Sequence, residues 1–168
     1  MTPQIYIDRE AGLDAPDDES FSRWVITTLE VQADKCTPNR APEISIRINN
    51  ETEMSALNER YRLKIGPTNV LSFPADLPPE IDSGLLGDIV ICAPVVEREA
   101  KDQGKSVASH WAHMTVHGTL HLLGFDHIEA VEAEHMENLE TRLLLSMGFP
   151  DPYQNGNAQL SIMDSEHT

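Results

Sequence analysis

Seven histidines occur in the 168 residues, and five of them, His110, His113, His117, His121 and His127, crowd between positions 110 and 127. At roughly 100° per residue the first four fall in one narrow stripe of a helix. Histidine is only middling in burial, so four in line need a reason. In the run HGTLHLLGFDH (117–127), His117 and His121 point the same way, one turn apart, and can share one metal ion. Gly124 can take the left-handed conformation that ends a helix, so the chain doubles back and His127 reaches the same ion. Three neutral imidazoles leave a divalent cation its full charge and an open fourth position, the pattern of catalytic zinc; structural sites are closed by four ligands and rich in cysteine. His113 and His117 make another i, i+4 pair with His110 nearby, but only the set 117, 121, 127 has a helix terminator placed to bring in the third ligand.

The spacing H-x3-H-x5-H, with glycine at the eighth position, equals that of the metzincin proteases, H-E-x-x-H-x-x-G-x-x-H. Where those enzymes carry a glutamate general base, this chain has Gly118. Metal geometry is retained and peptidase chemistry does not follow. Asp126 adjoins His127 and has two open roles: proton acceptor, or orienting partner of a ligand imidazole.

Twenty-eight acids against 12 bases give a net charge of -16, which excludes a generally basic nucleic-acid coat. The charge is unevenly spread: residues 126–168 carry one base and nine acids, whereas Arg60, Arg62 and Lys64 stand together with no acid after them until Asp76. Two readings of that cluster are open, a helix end whose bases suit the dipole and an anion clamp on an otherwise acidic protein. Aromatic residues are 5% of the chain, which gives no sign of a base-stacking platform. Cys36 and Cys92 are too few for a disulfide framework. The first residues have no basic stretch followed by an apolar run, and nothing approaches ~18 consecutive apolar residues. A soluble cytoplasmic protein without a membrane span is expected.

The elements that must position these residues are legible in outline. Alternation predicts strands over 4–8 and 43–49, with Ile44, Ile46 and Ile48 on one face and Ser45 and Arg47 on the other. Residues 69–73 and 86–92 read as two further strands, separated by a proline-rich loop over 74–84. Helices are expected over 20–33, from the N-cap Asn50 through Tyr61, over 94–102, over 106–123 up to Gly124, and over 129–147 up to Gly148. On the last of these, Met136, Leu139, Leu143 and Met147 form an apolar core stripe. Glu140 lies about 40° from Met136 and is expected at the solvent edge, a hydrogen bond to a buried partner near the metal being the other placement. His135 is expected at the surface, and Trp24 and Trp111 in the core. Four strands among several helices make a single α+β domain.

HGTLHLLGFDH, together with TNVLSFP (68–74) and LGDIVIC (86–92), resembles the bacterial YbeY family, metal-dependent endoribonucleases of ribosomal RNA maturation and ribosome quality control. The resemblance runs from about residue 4 to Tyr153. It implies one Zn2+ held by His117, His121 and His127, and a motif arginine at Arg62 in YRLKIGPTNVLSFP; a guanidinium there suits a non-bridging phosphate oxygen. It also implies an α+β fold with a small mixed sheet of four strands, about five helices and a metzincin-like metal-binding helix. The domain would span 1–153, with a polar tail over 154–168. The implied activity is single-strand-specific cleavage in 16S rRNA 3′-end maturation. Because the protein is so acidic, tight binding of bare RNA is not expected, and the small ribosomal subunit or an assembly factor would present the single-stranded rRNA. Two other readings compete: a metal hydrolase acting on another substrate such as a peptide, and a non-catalytic ribosome assembly factor in which zinc only fixes the 117–127 turn. An open fourth coordination position separates an enzyme from a structural site.

Overall fold

The computed structural model describes residues 2–35, 40–78, 80–81, 83–125 and 129–153. Four strands, β1 (Gln4–Arg9), β2 (Glu43–Asn49), β3 (Val70–Pro74) and β4 (Leu85–Cys92), form one sheet in the order β1-β2-β4-β3. The first three in that order run parallel and β3 is antiparallel on the edge. Five α-helices accompany them: α1 (Asp18–Leu29), α2 (Glu51–Arg62), α3 (Ala93–Asp102), α4 (Val107–Leu122) and α5 (Ala130–Ser146). The expected mixed four-stranded sheet and α+β class are therefore the fold, in a single domain. The tail 154–168 lies outside the described residues.

The alternation read from 43–49 sorts the sheet into two unlike faces. Ile44, Ile46, Ile48, Ile89 and Ile91 are buried with Phe21, Trp24 and Val25 of α1 and with Trp111, Val116 and Leu120 of α4. The opposite face carries a smaller apolar cluster: Leu71, Val90 and Cys92 of the sheet, with Met54 of α2 and Val95 of α3. Burial pushes the Cys92 thiol up to about 11, so it is no nucleophile at neutral pH.

Helix ends follow the sequence signals closely, with one correction. Asp17 caps α1 by accepting from the Ser20 amide at 2.8 Å, so that helix starts at Asp18, earlier than the expected residue 20. It ends at Leu29, where a 3₁₀ segment, Glu30–Lys35, takes over. Asn50 accepts from the Glu53 amide as expected of an N-cap. Ser106 caps α4 by accepting from the Ser109 amide. At the other end Gly124 has φ +99, its amide donates to His121 O at 3.0 Å, and Phe125 N donates to Leu120 O at 3.1 Å. That pair of bonds is the Schellman termination. The helix carrying the histidines is thus fixed at both ends.

Candidate functional site

Helix α4 lies across the apolar face of the sheet, and at Gly118 it approaches β3 and β4 tightly. A Cβ there would stand 2.8 Å from Ile89 Cγ2 and 3.2 Å from Ser72 Oγ. The Ser72 hydroxyl donates to Gly118 O at 3.0 Å, tying α4 to the edge strand β3. The position of the metzincin general base therefore faces the sheet, with no room for a carboxylate. Peptidase chemistry of that type is excluded by packing as well as by residue type.

The histidine stripe runs along the flank of α4. Successive ring centroids from His110 to His113, His117 and His121 are 6.1, 6.3 and 4.6 Å apart. Their partners divide them into two kinds. His110 Nε2 lies 2.8 Å from Glu99 of α3, which also accepts from Asn69 Nδ2 at 3.1 Å. His113 Nε2 lies 2.9 Å from Glu140 Oε1 on α5. The Nδ1 atoms of both rings are buried and without a hydrogen-bond partner among the described residues, so these two histidines are interior struts. The alternative ligand pair His113 and His117 is set aside, because Nε2 of His113 is already bound to the buried Glu140.

His117 differs. Its Nδ1 is 2.5 Å from Glu140 Oε2, and against a carboxylate that nitrogen must be the N–H donor. The Nε2 lone pair is then directed the other way, and it lies 3.2 Å from His121 Nε2. Two imidazole ligands on one tetrahedral zinc, at about 2.05 Å each, place their nitrogens about 3.3 Å apart. The pair therefore fits a shared cation. Asp126 and His127, the other two residues predicted here, lie outside the described residues. Among the described residues no group of three or more metal-ligating side chains is gathered.

Glu140 is the residue that sequence reasoning misplaced. Instead of sitting at the solvent edge it is fully buried, and it accepts from His113, His117 and the Tyr153 hydroxyl. Burial alone would raise its carboxyl, but the charge and ring N–H groups of His117 and His113 outweigh that and hold it well below the ordinary carboxylate range. His113 moves the other way from a charged ring: burial lowers its pKa despite Glu140. The one signal in the sequence was its helical angle close to Met136, which leaves both the edge and the core open. Glu140 is thus a buried carboxylate whose charge is met only through its imidazole and phenol partners, and a cation on the far side of His117 would add to that compensation.

Arg62 lies on the last turn of α2 beside Arg60, exposed, with no hydrogen bond or ion pair among the described residues. The helix ends at Leu63, a non-glycine residue at φ 57, which turns the chain sharply between Arg62 and Lys64. His135 is exposed and Trp24 and Trp111 are buried, as expected.

The family model described as endoribonuclease YbeY matches residues 7–148. The chain belongs to that family, a family of enzymes that cut RNA within the chain. Among solved structures, the solution structure of TM1509 from Thermotoga maritima has the same fold, with a TM-score of 0.56 and 21% identity over 98% of this chain and 97% of that one. Among the described residues no helix is long and apolar enough to cross a membrane.

Proposed function

We propose that this protein is a zinc-dependent, single-strand-specific endoribonuclease of 16S rRNA 3′-end maturation and ribosome quality control, acting in the cytoplasm. One ion would be held by His117, His121 and His127. The observation that carries the reading is the line Glu140–His117–His121: a buried carboxylate fixes the tautomer of one imidazole so that its lone pair meets the next imidazole at 3.2 Å.

A divalent ion at that point would stabilise charge developing on a phosphate and bring the pKa of a water down to about 7. The protein's own residues do the rest. Glu140 orients His117 by accepting from its Nδ1, which turns Nε2 toward the ion position. Arg62 sets a guanidinium on a non-bridging phosphate oxygen, where it binds substrate and balances charge in the transition state. Asp126, next to the third ligand, holds that ring or accepts a proton. The net charge of -16 favours RNA presented by a partner, the small ribosomal subunit or an assembly factor, over capture of bare RNA.

Cleavage of a single-stranded RNA by wild type, His121→Ala and Arg62→Ala, with and without chelator, tests the reading. Loss of cleavage in both variants with folding retained, and in wild type with chelator, is the expected result. Cleavage surviving in both variants would overturn it.

A further inference from the structure

The sheet face away from α4 is only partly covered by α2, and beside that helix lies an open groove of about 640 Å³. One cross-strand row spans it. Tyr6 on β1 pairs with Ser45 on β2, Ser45 with Asp88 on β4, and Asp88 with Phe73 on β3. At about 4.8 Å per strand the row is about 14 Å wide. Tyr61 of α2 closes the β3 end, edge-on to Phe73 at 5.2 Å between centroids, and Arg60 lies 5.3 Å from the Tyr61 ring. Tyr6 and Tyr61 are each 53% exposed. Three of the chain's nine aromatics, Tyr6, Tyr61 and Phe73, thus line this groove.

Charge decides what such a groove can take. The Asp88 side chain is exposed and makes no hydrogen bond or ion pair among the described residues, and the cation lining the groove, Arg47, is already bound to Asp8 and Glu53 at 2.9 Å each, so the groove disfavours a phosphate. A nucleobase would not: its ring stacks on tyrosine, and its edge N–H groups donate to a carboxylate. The exposed cations, Arg60 and Arg62, stand just past Tyr61 on the last turn of α2, where the flanking phosphates would lie. The edge strand joins this groove to the metal helix, because Ser72 bonds Gly118 on one face while Phe73, the next residue, meets Tyr61 on the other.

We infer that this groove is a nucleobase subsite for the single-stranded RNA, stacking an unpaired base against its tyrosines and reading it through Asp88. Guanine fits best, since its pairing edge offers two adjacent N–H donors to one carboxylate. The inference rests on the proposed ribonuclease function and deepens it.

The test is fluorescence anisotropy of labelled hexaribonucleotides, one with a central guanine and one with inosine in its place, binding to the full chain carrying His121→Ala so that cleavage does not intervene. Tyr61→Ala should weaken binding of both about tenfold. Asp88→Asn should abolish the preference for guanine over inosine, and the melting temperature should not move in either variant. No measurable binding in the parent protein, affinities within twofold across the variants, or equal binding of guanine and inosine by the parent would each overturn the inference. Cleavage assays of the otherwise wild-type enzyme are read separately, so failure of the groove leaves the metal-site reading standing, and failure of cleavage leaves the groove measurable.

Discussion

Two buried or half-buried glutamates, Glu99 and Glu140, bind histidines along α4, and they do different work. Glu99 binds His110 and also holds Asn69 at the start of β3; its side chain keeps 22% exposure, and the far nitrogen of His110 is sealed in without a partner. Glu140 binds His117 with no exposure to solvent, and the far nitrogen of His117 meets a second imidazole. The groups are the same in both, but Glu99 takes Nε2 of its ring and Glu140 takes Nδ1. What separates a strut from a candidate ligand is where the second ring nitrogen ends up, which is a property of the surroundings and not of the pair.

Removing Glu140 should separate the two most sharply. Glu140→Ala strands the N–H groups of His113 and His117 and the Tyr153 hydroxyl, and is expected to cost about 3–5 kcal/mol in urea unfolding. Glu140→Gln is milder, and with it zinc affinity, read by chelator competition, should fall about 10–100-fold. An unchanged zinc affinity would make Glu140 a strut like Glu99. Gly118→Glu, which restores the metzincin residue, should destabilise by about 3 kcal/mol by forcing a carboxylate against Ile89. It should yield no peptidase activity.

Acid should reveal the sealed pair in two stages. The ordinary histidine value is 6.5 and folded His113 lies below it, so the unfolded chain binds the extra proton and stability falls as pH drops below about 6.5. The ordinary glutamate value is 4.5 and folded Glu140 also lies below it, so a second loss begins below about 4.5. Urea midpoints between pH 8 and pH 3 check this, and the lower stage should shrink in Glu140→Gln. The smallest effect belongs to the other pair: Glu99→Gln should cost about 1 kcal/mol, with zinc affinity unchanged within twofold.

Most of the fold was legible because its signals are local. Strict alternation at 43–49 marked β2 and its two faces, Asn50 marked the start of α2, and Gly124 marked the end of α4 with the two hydrogen bonds a left-handed residue permits. The histidine stripe was legible for the same reason, since spacing along one helix needs no knowledge of neighbours. Glu140 was not. Its angle relative to Met136 leaves either edge or core, and only the approach of α5 to α4 makes it core.

The sequence by itself determined which residues could share a face: the apolar–polar alternation of β2, the histidines of α4 and the basic turn at Arg60 and Arg62 are consequences of backbone period alone. Only the tertiary structure decided which of those faces meet. It assigned three donors to Glu140, pressed Gly118 against Ile89, and lined Tyr6, Ser45, Asp88 and Phe73 into one row from four separate strands. Contacts between distant segments follow from how layers pack and register, and no periodicity within a single segment carries that information.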